Sequence, residues 1–77
     1  MNEKLTDKLR SIVADVLQID IAPGEEVERA AHATWDSLNH LRVVMSVEEE
    51  FGVRLAPREV VSISSLSDLE KLVQAKL

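Results

Sequence analysis

No cysteine occurs anywhere in the chain, and at 77 residues that absence restricts what it can fold into. Neither disulfides nor thiolate-bound zinc can brace the structure, so one small core has to hold it together. A chain of this size buries one core and little else, which makes residues 1–77 a single domain. Trp35 and Phe51 are the only aromatic residues and Gly24 and Gly52 the only glycines, while Leu, Val, Ala and Glu are frequent. That mixture favours helix over sheet. An all-α fold is expected, stabilised by helix packing alone.

The spacing of apolar residues places the helices. Leu5, Leu9, Ile12, Val13, Val16 and Leu17 recur at helical intervals and define a first helix. The pattern then lapses between about Gln18 and Asp36, through the strong turn signal Pro23-Gly24 and an acidic stretch of Glu25, Glu26 and Glu28. Connections longer than about 12 to 15 residues are usually functional or contain a short helix of their own, and Glu25 to Ala31 is where such a turn fits. A second helix is expected from Ser37 to Phe51, with the Asp36 carboxylate capping its first-turn amides. On that helix Leu38, Leu41, Val43, Val44, Met45, Val47 and Phe51 cover an arc of roughly 220°. Either the helix is central, or the edge formed by Leu38, Leu41 and Met45 stays exposed as a contact surface, or both.

Pro57 suits the first position of a short third helix over Pro57 to Ser62. The last helix carries two overlapping capping patterns, Ser65 with Asp68 and Ser67 with Glu70, ahead of Leu66, Leu69, Leu72, Val73 and Leu77. Local sequence does not choose between the two starts.

Charge and inventory exclude most functions. The formal net charge of −5 opposes nucleic acid and anionic lipid and favours basic protein surfaces as partners. The charged segment Met1 to Lys8 has no continuous apolar stretch, which predicts a soluble cytoplasmic protein without membrane insertion. His32 and His40 are the only histidines, and two glycines build neither a phosphate-binding loop nor a dinucleotide turn. Asp36, Ser37 and His40 do not make a hydrolytic triad, since acyl transfer also needs a pocket and an oxyanion hole that a small helical domain has little room for. The carboxylates of Glu48, Glu49 and Glu50 point about 100° apart and cannot converge on one metal ion. Trp35 reads first as a core anchor closing the long loop, and His40 as a partly buried helix histidine. Ser37 is different in kind: a phosphate ester on a first-turn serine would be stabilised by free amides and by the positive end of the helix dipole.

The run Asp36-Ser37-Leu38, then Leu41, Val43-Val44-Met45, Val47 and Glu48-Glu49-Glu50-Phe51-Gly52-Val53, resembles the acyl carrier protein family. The likeness is strongest from Asp36 to Leu55 and extends over nearly the whole chain, including the long loop, Pro57 and the capped last helix. It implies a four-helix bundle with a long loop between helices 1 and 2 and a short third helix. It also implies a non-catalytic role: a phosphopantetheinyl transferase moves 4′-phosphopantetheine from coenzyme A onto Ser37, and the thiol of that arm carries an acyl or aminoacyl group as a thioester. By the same resemblance Asp36 helps position the magnesium ion used in modification. Leu38, Leu41 and Met45 form the apolar patch grasped by partners, and Glu48 meets their basic residues. The implied partners are the transferase, an acyl- or aminoacyl-loading ligase or transferase, and downstream synthases, met by a monomeric carrier.

Several positions depart from the common pattern of fatty acid biosynthesis. Arg42 stands where that pattern usually has an acid, Asn39 replaces another frequent acid, and Arg58 brings positive charge to the third helix. Trp35 before Asp-Ser is similar to discrete carriers of specialised pathways and to D-alanyl carriers. Because like charges at an interface reject wrong partners, the expectation is a stand-alone carrier of a specialised pathway such as polyketide biosynthesis, with Arg42 steering partner choice. A housekeeping fatty-acid carrier is the rival within the family, and an unmodified helical interaction module the rival outside it.

Overall fold

A computed structural model describes residues 3–77, so the reading of Met1 and Asn2 lies outside the described residues. Among those residues the chain forms four α-helices and no strand: α1 (Glu3–Leu17), α2 (Ser37–Phe51), α3 (Pro57–Ser62) and α4 (Leu66–Lys76), with one 3-10 turn (Arg29–Ala31) in the long loop. The turn falls inside the stretch expected to hold one. The bounds of α2 and α3 are those read from the capping residue Asp36 and from Pro57.

Helix α1 turns the stripe Leu5, Leu9, Val13 and Leu17 inward, each fully or almost fully buried, and packs on both α2 and α4. Val43, Val44 and Val47 supply the core face of α2, and Leu66, Leu69 and Val73 that of α4. Val27, Trp35, Leu55 and Ile63 complete one cluster from the connections. Burying an aliphatic side chain is worth about 1.5–3 kcal/mol, so a core drawn from every helix but the short α3, and from the long loop, ties those parts into one unit. α3 buries no residue fully. Val60 packs partly buried against the core instead, and the Glu59 carboxylate accepts from the Ala56 N–H at 2.8 Å and meets Lys76 of α4 at 3.0 Å.

The long loop is fixed by hydrogen bonds to the α3–α4 connection. Arg29 N–H donates to the Ser64 carbonyl and Leu66 N–H to the Val27 carbonyl, both at 2.8 Å, around an antiparallel bridge between Glu28 and Ser65. Glu26 accepts from both the amide and the hydroxyl of Ser67. That contact settles the start of α4. Ser65 is its N-cap, accepting from Asp68 N–H at 3.1 Å, while Ser67 serves the loop and Glu70 is buried rather than capping. At the far end of the loop, Pro23-Gly24 forms the expected turn, closed by Glu25 N–H on the Ala22 carbonyl at 3.0 Å; Gly24 has φ 81°, which a residue with a Cβ rarely adopts.

Candidate functional site

Ser37 is the first residue of α2 and its side chain is exposed. The residues around it are fixed by a set of hydrogen bonds, and among the described residues its hydroxyl has no partner. Asp36 Oδ1 accepts from the Asn39 amide at 2.8 Å, and the Asp36 carbonyl from His40 N–H at 2.8 Å. The Asn39 side-chain amide reaches back to the Thr34 carbonyl at 2.7 Å. The amides of Ser37 and Leu38 precede the first helical hydrogen bond and have no partner within the described residues, so they and the helix dipole present positive charge where a phosphate on Ser37 would lie.

Trp35 is 2% exposed and anchors the segment from below. Its indole N–H donates to His40 Nδ1 at 2.9 Å, and His40 Nε2 lies 2.8 Å from the Val60 carbonyl on α3. Trp35 and His40 occupy the positions flanking a helix start, N′ and N4, where an apolar pair commonly staples the incoming chain. Here the staple is polar, with ring centroids 6.1 Å apart, and it continues to α3. The five-residue spacing from Trp to His across a capping Asp was the available signal for this contact. Arg29, which the sequence did not single out, donates from Nε to the Trp35 carbonyl at 3.1 Å.

Leu38, Leu41 and Met45 are 59%, 53% and 66% exposed, so the wide apolar arc of α2 leaves one edge facing outward, while the helix that packs against two others is α1. Val61 on α3 is 81% exposed and adds an apolar residue that periodicity did not mark. Met45 stands between two open grooves, one bordered by Arg42, Ser46, Asp15 and Gln18, the other by Glu48, Gly52, Val53 and Arg54. The three consecutive glutamates diverge. Glu48 turns an oxygen to the Leu55 amide at 2.9 Å, Glu50 meets Lys8 at 3.2 Å, and Glu49 is exposed beside Met45. Part of Glu48 is thereby engaged within the fold, bracing the turn after α2.

Comparison with known proteins accounts for this arrangement. A family model described as "Phosphopantetheine attachment site" matches residues 7–73. The chain belongs to the acyl carrier protein family. It is 39% identical over 72 residues to "Polyketide-8 synthase acyl carrier protein 2" of Streptomyces avermitilis, covering 92% of this chain and 83% of that one. It is 32% identical over 81 residues to an "Acyl carrier protein" of Thermosynechococcus vestitus, covering 100% and 98% of the two chains. A third relative, an "Acyl carrier protein" of Thermotoga maritima, is 30% identical over 76 residues, covering 97% and 94%.

The carrier therefore bears 4′-phosphopantetheine covalently on a serine and does no turnover itself. Its fold fits that group: an exposed hydroxyl, unpartnered first-turn amides and a rigidly held flanking segment suit a phosphodiester. An acyl carrier has to meet a phosphopantetheinyl transferase and synthases. No described helix of this one is long and apolar enough to cross a membrane.

Proposed function

We propose that this carrier holds its phosphopantetheine arm on Ser37 and delivers acyl or aminoacyl groups within a specialised biosynthetic pathway in the cytoplasm. The observation that carries the reading is the exposed Ser37 hydroxyl at the first position of α2, between residues whose own polar groups are hydrogen-bonded inward. When attached, the arm supplies a thiol on which cargo rides as a thioester. The chain's own part is to hold, present and be recognised.

Each neighbouring residue has a role in this reading. Asp36 caps α2 through Oδ1, which leaves Oδ2 turned toward the transferase and its magnesium ion. Leu38, Leu41 and Met45 dock in an apolar recess of the partner, where their exposed area leaves water. Arg42 and Glu48 stand at the rim and select partners by charge. Arg42 forms no ion pair among the described residues, so its charge is available across an interface. With Asn39 and Arg58, it makes the docking face less acidic than the common fatty-acid pattern. The greater likeness to a polyketide synthase carrier than to the two relatives named only as acyl carrier proteins supports the specialised assignment.

The test is co-expression with a broad-specificity phosphopantetheinyl transferase followed by intact mass. The wild type should gain one phosphopantetheine group and Ser37→Ala none. An unchanged wild-type mass, or a gain that survives Ser37→Ala, would sink the assignment of Ser37. Capture of the loaded thioester from the native host then identifies the cargo.

A further inference from the structure

Arg29 is a cation with no carboxylate paired to it among the described residues. The chain has 14 acidic against 9 basic residues, yet Arg29, although half-buried, forms no ion pair among the described residues. Among the described residues neither Glu28 nor Asp36 pairs with it; Asp36 directs Oδ1 to the Asn39 amide. The residue is nevertheless held at both ends. Its backbone N–H donates to the Ser64 carbonyl at 2.8 Å, and its Nε–H to the Trp35 carbonyl at 3.1 Å. Among the described residues the Nη groups of the guanidinium have no acceptor, and the Nε contact keeps them beside the peptide that leads from Trp35 through Asp36 to Ser37.

A guanidinium presents parallel N–H groups in a planar fork that matches two oxygens of a phosphate, and it keeps its charge at any working pH. A half-buried cation without a counter-ion, tied to the carbonyl of the residue two before a serine that carries a phosphodiester, lacks only the anion. Resting on the Ser37 reading, we infer that Arg29 binds the phosphodiester of the arm. Its Nη groups donate to a non-bridging phosphate oxygen while Nε keeps the Trp35 carbonyl. The contact offsets the repulsion that one more negative charge meets on an acidic protein, and it holds the root of the arm toward the 3-10 turn. Arg42, Arg54 and Arg58 are exposed and lack such an anchor, so they are not equivalents.

The test compares thermal unfolding of apo and holo protein for the wild type, Arg29→Gln and Arg29→Lys, each loaded by a broad-specificity transferase and checked by mass. Losing the grip on the Trp35 carbonyl lowers apo and holo midpoints alike, so the change on loading isolates the phosphate contact. That change should be less favourable in Arg29→Gln than in the wild type by about 4 °C, the order of one charge-assisted hydrogen bond in a domain of this size, with Arg29→Lys between them. The Arg29 side-chain N–H resonances of the wild type should also move on loading, a readout that does not depend on any variant folding. Equal changes in wild type and Arg29→Gln, or Arg29 resonances that stay in place, overturn the inference. Absence of a mass gain in the wild type overturns the Ser37 reading itself and removes the ligand proposed for Arg29.

Discussion

The indole N–H of Trp35 donates to Nδ1 of His40 at 2.9 Å, and this contact fixes which imidazole nitrogen carries the proton. Indole nitrogen can only donate, so Nδ1 must offer a lone pair; the ring proton is then on Nε2, where it donates to the Val60 carbonyl 2.8 Å away. A loop residue, a helix residue and a carbonyl on α3 are joined by one neutral ring.

Replacing that ring by Leu leaves the buried indole N–H of Trp35 without its acceptor, while the Val60 carbonyl keeps the Ile63 N–H at 3.3 Å. One unsatisfied buried donor costs about 1–3 kcal/mol, so His40→Leu should lower stability by about 2 kcal/mol, on the order of 8 °C in midpoint. His40→Gln, whose amide can accept from Trp35 and donate to Val60, should recover part of the loss. Urea and thermal melts followed by Trp35 fluorescence give both numbers. Equal stability of the Leu and Gln variants would show that the chain of hydrogen bonds contributes nothing.

Acid should loosen the seam between the long loop and the α3–α4 region. In Glu26, partial burial pushes the carboxyl up, but hydrogen bonds from the Ser67 hydroxyl, the Ser67 amide and the Val27 amide together outweigh it and hold the group below its ordinary 4.5. The Ala56 N–H, then Lys76, lower Glu59, and the Ser64 amide and hydroxyl lower Asp68 below 3.8. A depressed carboxyl binds fewer protons folded than unfolded, so its contribution is complete above the unfolded value and disappears as pH falls through the folded one. Midpoints should therefore decline as pH drops through 4.5 and 3.8 and beyond. Ser67→Ala, which removes the Glu26 hydroxyl contact, should make the decline shallower.

Asp36 caps α2, and substitution separates that role from the proposed one toward the transferase's magnesium ion. Asn keeps a side-chain oxygen for the Asn39 amide, whereas Ala removes the cap at a cost of about 1 kcal/mol. Asp36→Asn should melt close to the wild type yet take up phosphopantetheine more slowly, because it lacks the charge offered to magnesium. Circular dichroism melts and a time course of mass gain measure the two effects. If Asn loads at the wild-type rate, the role of Asp36 is confined to the cap.

Arg42→Glu should move the carrier toward fatty-acid enzymes. With a malonyl transferase of fatty acid synthesis as probe, removing a like-charge contact should raise kcat/KM by roughly 3- to 10-fold, equivalent to about 1 kcal/mol. The gain should shrink in high salt, since the residue is exposed. An unchanged kcat/KM would remove Arg42 from partner selection.

At the end of α2, Gly52 has φ 65° and its N–H caps the Glu48 carbonyl. A Cβ there would meet nothing within 4 Å, so Gly52→Ala should cost about 1 kcal/mol from the left-handed backbone alone. A much larger loss in a urea melt would require a clash that the open surroundings do not contain.

Local sequence determined the helices and most of the presentation of Ser37. Asp36 and Pro57 mark helix starts through chemistry confined to one turn, and the i, i+4 stripe of α1 needs only its own periodicity to show which face is buried. The family likeness added the arm, since Asp-Ser-Leu and the run to Val53 are contiguous. What tertiary structure decided involves partners distant in sequence. Ser65 and Ser67 are equivalent as caps until Glu26, 41 residues away, engages Ser67. His40 lies on the apolar arc in any helical projection, but only the approach of α3 gives Nε2 its acceptor and makes the ring a link between elements. Nothing in the local sequence singles out Arg29; the folding of Trp35 beneath the helix start brought its side chain beside the peptide that leads to Ser37. Local capping and periodicity are short-range effects that a sequence displays directly. The pairing of polar groups across the core depends on which chain segments meet, and here that was settled by burying Val27, Trp35 and Ile63 together.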